Sequence, residues 1–248
     1  MTELFGSYCA RMFRHKLYIF GLAAAFIITY FISANGAEIL PLHNINNDLE
    51  CAKLASLGIP AFFSLFTAVF LGAEYFGGAI RNKLICGRTR REIYFASFGA
   101  VALGMLIMIA VWTAAALLGA HALPNGSEIA SCIVRTVFYN IANLSVLVLV
   151  SMNIEREVLS AAVAIMSFQT SFMAVILMQA IMGMTGGGIG AVLRALINFI
   201  PYGQWLSVSL IGDTSIAFPA PVQIVISAVS AVVITAAGLH LMEKKDIR

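Results

Sequence analysis

An all-α protein that crosses a membrane several times is what this sequence predicts, and three observations predict it. Hydrophobic residues make up 60% of the 248 and charged residues 11%, against roughly 45–50% and about 25% in an ordinary soluble domain. The apolar residues gather into stretches that reach the ~20 residues a helix needs to cross about 30 Å of hydrocarbon. Lys and Arg gather in alternate gaps between those stretches. No soluble fold of this length has the interior to hide so much apolar surface, so lipid is the solvent for most of it. The whole chain, 1–248, reads as one transmembrane domain.

Six stretches qualify, near Leu17–Ala34, Ala55–Ala73, Ile93–Ala120, Ile129–Ser151, Val158–Met182 and Phe218–Met242. The third is longer than a crossing requires, so it tilts or extends past the membrane. Arg11, Arg14 and Lys16 precede the first span. Arg81, Lys83, Arg88, Arg90 and Arg91 lie between the second and third, Arg156 between the fourth and fifth, and Lys244, Lys245 and Arg248 after the last. Only Lys53, Arg135 and Arg194 fall toward the other side. An excess of Lys and Arg marks the cytoplasmic side, which places both termini in the cytoplasm. The first span could also be a secretory signal, with Ser33-Ala34-Asn35-Gly36-Ala37 behind it. Its apolar run exceeds the ~7–15 residues of such signals, which favours a retained span. Cys9, Cys51, Cys86 and Cys132 show no metal-type spacing, and no basic block suits nucleic acid.

Ahead of the first span, Leu4/Phe5, Tyr8/Cys9 and Met12/Phe13 recur every four residues while Ser7, Arg11, Arg14 and His15 face elsewhere. That pattern describes a helix over 3–16 lying in the headgroup plane, its cations toward anionic lipid. A plain cytoplasmic extension of the first span is the alternative. Small residues form stripes within the spans: Gly21, Ala25, Thr29 and Ser33 in the first, Ser160, Ala164, Ser167 and Ser171 in the fifth, Ser227, Ala231, Thr235 and Gly238 in the sixth. Such stripes let helix backbones approach, and spacing leaves open whether the contact lies within one chain or between two.

The segment 183–217 breaks the pattern of plain spans. Gly186-Gly187-Gly188 and Gly190 interrupt the helix, an apolar run with Arg194 and Asn198 follows, and Pro201-Tyr202-Gly203-Gln204 interrupts again before Trp205–Ile211. Two short helices dipping back into the outer leaflet fit, because irregular backbone at depth must be shielded by protein or line a wet cavity. Pro219 and Pro221 then open the last span, where a missing N–H costs little.

The most informative gap lies between the second and third spans: Glu74-Tyr75-Phe76-Gly77-Gly78-Ala79-Ile80-Arg81-Asn82-Lys83-Leu84, then Gly87-Arg88-Thr89-Arg90-Arg91-Glu92-Ile93-Tyr94. Ile80, Leu84 and Ile85 give an apolar face; Arg81, Lys83 and Arg88 give a charged one. With glycines at both ends this describes a short helix suited to docking in a groove of a cytoplasmic partner, or else a solvated loop. Glu74, Gly78, Ile80–Leu84, Gly87, Arg90 and Ile93-Tyr94 resemble the corresponding loop of type-2 ABC exporter permeases, in particular small permeases of bacterial peptide, lantibiotic-type and phenol-soluble-modulin exporters. Pro201-Tyr202-Gly203-Gln204 before the last span is also similar to that class. Ala79 departs from it, since such permeases often carry Thr there.

The resemblance implies a permease in a bacterial cell membrane, paired with a second permease, most simply as a homodimer. Two cytoplasmic ABC ATPase subunits would carry the ATP and Mg. Glu74, Gly78, Ile80, Arg81, Asn82, Lys83, Leu84, Arg88 and Arg90 would form the main docking element, with Glu155 and Arg156 in the second inner loop as a minor one. The chain itself has no Gly-x-x-x-x-Gly-Lys-Ser/Thr run to cradle phosphates and no other catalytic motif, so this chain is not expected to be an enzyme or to hold a cofactor. The cargo expected from the resemblance is an amphipathic or antimicrobial peptide. A lipid or small hydrophobic compound, or ion-coupled transport or a channel, are the alternatives, although mid-membrane carboxylates typical of ion coupling are absent from the sequence. Candidate walls for a substrate path are Phe62, Phe63 and Phe66 in the second span and Met166, Gln169 and Met173 in the fifth; ordinary packing accounts for them equally well. Arg135, two turns into the fourth span, is a functional candidate by its depth or snorkels toward Glu128, Glu50 or Asp213. Tyr139, Asn140 and Asn143 below it read as bonds to neighbouring helices.

Overall fold

The computed structural model describes residues 2–39, 52–53, 55–121, 125–154, 156–184, 188–208 and 216–244. Among them the chain forms ten helices of seven residues or more and no strand. In chain order these are α1 (Thr2–Phe13), α2 (Lys16–Ile39), α3 (Gly58–Phe76), α4 (Ala79–Ile85), α5 (Arg90–Gly119), α6 (Gly126–Asn153), α7 (Glu157–Met184), α8 (Gly188–Phe199), α9 (Pro201–Val208) and α10 (Ala220–Lys244). Five of them, α2, α5, α6, α7 and α10, are each long and apolar enough to cross a membrane, as expected of a multi-pass membrane protein. The pair α3 and α4, bent by 51° at its junction, is the sixth candidate.

Helix starts follow local chemistry. At Thr89 the side chain accepts from the Glu92 N–H while the Glu92 carboxylate accepts from the Thr89 N–H, a reciprocal cap that fixes where α5 begins. The interruption expected at Pro201-Tyr202-Gly203-Gln204 falls just ahead of it, at Ile200, and these four residues are the first of α9. Pro201 takes the first position of α9, where its ring pre-sets the backbone and no N–H is needed. The turn from α8 into α9 is tight: a Cβ on Gly203 would collide with the Ile197 carbonyl oxygen. Gly190, expected to interrupt the chain, lies inside α8, which starts at Gly188.

The core is built around α5. α2 runs along one side of α5, α1 packs across its first turns, α3 contacts α6 and α7, and α10 makes its longest contact with α6. Leu4, Tyr8 and Met12 of α1 are buried in this core with Tyr18, Phe63, Phe66, Tyr94, Met105 and Trp112. Leu4, Tyr8 and Met12 of the apolar face of α1 are therefore covered by protein, while Phe13 stays exposed. The reason is the groove over α5, where Gly99 and Gly104 leave room for Phe5 and Met12.

The small-residue stripe of α2 is spent within the chain. Gly21 lies against the Phe62 ring, Thr29 and Ser33 are buried, and the Ser33 hydroxyl donates to the Ala116 carbonyl at 2.8 Å. Ala25 packs on the same core. In α7, Ser160 and Ala164 are buried, Ser167 turns back to the Ala164 carbonyl of its own helix, and Ser171 is half-buried. The close approach of α2 and α5 yields a prediction. A Cβ on Gly119 would meet the Tyr30 carbonyl oxygen and the Ser33 Cβ, both at 2.8 Å, so Gly119→Ala should cost about 1–3 kcal/mol through overpacking. Gly6, on the exposed side of α1, is the control, since a Cβ added there would meet nothing within 4 Å. Gly6→Ala should leave thermal stability equal or slightly raised.

Candidate functional site

At the junction of α3 and α4 one carboxylate is enclosed by protein. Glu74 has only 2% of its side chain exposed and meets three donors, two from α1 and one from α4. The Tyr8 hydroxyl donates to Oε2 at 2.7 Å, the Lys83 ammonium pairs with the same oxygen, and the Arg11 guanidinium pairs with Oε1. Arg11 also donates to the Phe70 carbonyl at 3.2 Å and lies 4.3 Å from the centre of the Phe70 ring, while Lys83 Nζ sits 4.0 Å over the Tyr8 ring. Cations over aromatic faces in a partly dry site add to the ion pairing. A buried carboxylate without such partners would be costly; with them it ties α1, α3 and α4 into one body. Ile80, fully buried beneath α4, adds an apolar anchor.

Both ends of α4 need glycine. Gly78 has φ 65° and Gly87 φ 81°, the left-handed region that side chains disfavour. Held at both ends and from below, α4 presents Arg81, Asn82 and Ile85 outward, Ile85 with 74% of its surface exposed. This differs from the expected two faces. Leu84 packs on the core beside Ile80, but Ile85 stands out with the charged residues, and Lys83 turns inward. Seven residues make less than two turns and a half, so adjacent apolar positions 84 and 85 point about 100° apart.

Other members of the expected docking set have different surroundings. Arg88 reaches Glu3 at 2.9 Å, an exposed pair of small energetic weight. Arg90 donates to the carbonyls of Met242 and Glu243, both at 2.8 Å, and so satisfies the free end of α10; Arg91 pairs with Glu243 beside it. Arg156 is exposed at the start of α7, and Glu155 lies outside the described residues. Arg11, expected to face lipid headgroups, is turned to Glu74.

No protein-family model matches this chain, and no curated protein sequence matches it.

The expected substrate walls do not form one surface. Phe63 and Phe66 are fully buried, Phe66 stacking on Phe62 and Phe70 at 5.5 and 5.2 Å between ring centres and lying edge-on to His15. Met166, Gln169 and Met173 lie on the outward face of α7, Met166 with 65% of its surface exposed. The phenylalanines are core, because a ring at three- and four-residue spacing on one helix face packs where the helix is covered.

At the opposite end of the bundle a second polar assembly joins α8, α9 and α10. Asn198 is buried at its centre. Its Oδ1 accepts from the Phe218 N–H and from Gln223, both at 3.0 Å, and its Nδ2 donates to the Ile216 and Arg194 carbonyls. Gln204 donates to the Asn198 carbonyl and accepts from Ser227 at 2.6 Å. Arg194 donates to the Ile216 carbonyl at 3.1 Å and covers the Phe218 ring. Nearby, Trp205 donates to Ser56 at 2.6 Å, Ser56 donates to the Lys53 carbonyl and lies 3.5 Å from the Tyr139 hydroxyl, and Trp112 donates to the Ala52 carbonyl. In sequence Asn198 and Gln204 are polar interruptions without an assigned role. Their partners lie up to 25 residues away, a pairing that no local pattern encodes. Arg135 has no carboxylate partner among the described residues; Glu50 and Asp213, two of its expected partners, lie outside them, and Glu128 is not paired with it.

Proposed function

We propose that this chain is the permease subunit of an ATP-driven ABC-type exporter of a bacterial plasma membrane. It would have six spans, both termini in the cytoplasm, and α8–α9 as a re-entrant hairpin in the outer leaflet. The observation that carries this reading is α4: a short helix locked to α1 and α3 through Glu74, yet presenting Arg81, Asn82 and exposed Ile85. A docking element must be rigid toward its own chain and adhesive outward, since only then does a movement of the partner become a movement of the spans. An exposed isoleucine beside Arg81 and Asn82 on the helix surface fits an apolar pocket on a partner, the mode in which a helix lays its anchors in a groove. The likeness of residues 74–94 to type-2 permeases supports the same assignment and supplies the ATPase as partner.

In this reading two permeases and two ATP-binding subunits make the transporter. ATP and Mg are bound by the latter. Nucleotide would shift the permease pair between conformations only through a difference in how each nucleotide state of the ATPases grips α4. The α2 stripe is occupied by α3 and α5, which leaves the outward face of α7, with Met166, Gln169 and Met173, for the second permease and the substrate path. Soft methionine surfaces accommodate varied apolar ligands, consistent with an amphipathic peptide as cargo.

The test uses α4 alone. Because Lys83 is bound to Glu74, reversing its charge would damage the protein's own packing, so Arg81→Glu with Ile85→Glu is the cleaner variant. Co-reconstituted with its ATPase, the double variant should insert and unfold like the parent but lose ATP-dependent export by more than about tenfold, the expected consequence of losing an anchor worth at least about 1.4 kcal/mol. Undiminished export by that variant would remove the docking assignment. Transport by the chain alone under an ion gradient would replace the exporter reading with ion coupling.

A further inference from the structure

The end of the bundle opposite α1 and α4 holds a cleft that the proposed coupling does not use. Its walls come from α6, α9, the start of α10 and the residues ahead of α3, and its cavity volume is about 30 Å³ behind an open mouth. Lys53 and Arg135 both line it, together with Cys132, and no carboxylate is among its lining residues that the structure describes. The Arg135 Nε–H is shut off from solvent and has no hydrogen-bond acceptor. None of the ion pairs among the described residues involves either cation. Lys53 is held in place by its neighbours: Ser56 donates to its carbonyl at 2.6 Å, and Trp112 donates to the carbonyl of Ala52 at 2.9 Å.

A guanidinium donor kept from water without an acceptor is destabilising, and more so beside a second cation. The arrangement is consistent with an acceptor of negative charge, and a guanidinium fork matches a phosphate or carboxylate with two parallel bonds. The rest of the lining narrows the choice. Tyr139 and Trp205 are the residue types that sit at the level of lipid headgroups; Gln204 and Gln223 also line the cleft, with their amides bound to Asn198. Phe138 and Ile224 are the apolar side of the cleft. On the same helix faces, three residues on from Phe138 and seven and eight on from Ile224, lie Ile141, Ala231 and Val232. These three line a largely apolar groove between α6 and α10, closed on one side by Phe95 and Phe98 of α5, that continues to Thr235 and Leu239. A charged cleft and an apolar groove placed in succession along one pair of helices suit the two parts of an amphiphile.

We infer that this cleft binds the phosphate of an anionic phospholipid through Arg135 and Lys53, with an acyl chain laid in the α6–α10 groove. The inference stands apart from the exporter reading, since it concerns lipid bound to the chain whatever the chain transports. Bound this way, the lipid joins α6 to α10 and to the segment ahead of α3, at the end of the bundle where the Asn198 assembly also sits.

The purified protein in a neutral detergent is titrated with phosphatidylglycerol, phosphatidylcholine or inorganic phosphate, and bound lipid is counted by native mass spectrometry alongside thermal unfolding. Phosphatidylglycerol is expected to remain bound and to raise the unfolding midpoint, phosphatidylcholine to do neither. Arg135→Gln and Lys53→Gln should each weaken phosphatidylglycerol retention on the order of tenfold, the usual consequence of removing a charged hydrogen bond, with Arg135→Lys in between. Lys53, half-buried at the cleft wall, guards against an Arg135 variant that fails to fold. Equal retention of the two lipids, or unchanged retention in Lys53→Gln, would overturn the inference. Stabilisation by inorganic phosphate as large as that by phosphatidylglycerol would assign the cleft to a soluble anion and overturn the lipid.

Discussion

Replacing Glu74 with alanine is expected to lower stability by about 3 kcal/mol, near the lower bound for breaking a buried ion pair. For a chain of this size that corresponds to roughly 6–12 °C in the unfolding midpoint. The lower bound applies because the partners are not equally enclosed: Lys83 has 22% of its side chain exposed and Arg11 41%. Arg11 can therefore recover water when Glu74 is lost, and solvent already screens its pairing. Lys83 and the Tyr8 hydroxyl have less recourse. The order of effects should be Glu74→Ala largest, Lys83→Met intermediate, Arg11→Met smallest. Replacing both Glu74 and Lys83 with leucine should restore part of the loss, because an apolar pair carries no desolvation penalty. Limited trypsin digestion gives a second readout. Freed of Glu74, α4 should be cut at Arg81 and Lys83 well before the rest of the chain. A midpoint within about 1 °C of the parent, with the same digestion pattern, would show that α4 is not held by this carboxylate.

Asn198→Leu should be nearly as damaging, at about 3 kcal/mol, though the fold there is built from small helices. The side chain's oxygen accepts from the part-buried Phe218 N–H and from the buried Gln223, and both lose this acceptor when it is removed. Each orphaned donor costs about 1–3 kcal/mol. The Ile216 carbonyl keeps Arg194 as a donor and adds little to the loss. Trp205, buried on α9 and bound to Ser56, reports the outcome. In a Trp112→Phe background, Asn198→Leu should shift its emission to the red at temperatures where the long helices are intact. Coincident loss of helix signal and emission would mean that α8–α9 has no separate stability, contrary to this expectation.

The long helices are legible in the sequence because their signal is local. Runs of about 20 apolar residues define α2, α5, α6, α7 and α10, and the expected limits agree with the observed ones within a few residues. The caps are legible for the same reason, as Pro221 at the start of α10 and the glycines flanking α4 show. The sites are legible only in part. Position alone marks Glu74, Ile80 and Lys83, but not that one carboxylate gathers Tyr8, Arg11 and Lys83 from 66, 63 and 9 residues away. Phe63 and Phe66, candidates for a substrate path, are core, since aromatic residues look alike in sequence whether they face a channel or a neighbouring helix. Arg135 is marked by its depth, while the cleft around it requires Lys53, Trp205 and Gln223 to come together.

By itself the sequence determined the solvent and the partition of the chain into spans and gaps, because hydropathy and helix length are summed residue by residue. Only tertiary structure decided which polar groups are free. Lys83 and Ile85 stand two residues apart on the same short helix; one is bound inside the protein and the other exposed. What separates them is the position of a carboxylate on α3 and a tyrosine on α1, and such pairings depend on distance in space, which a linear pattern does not carry.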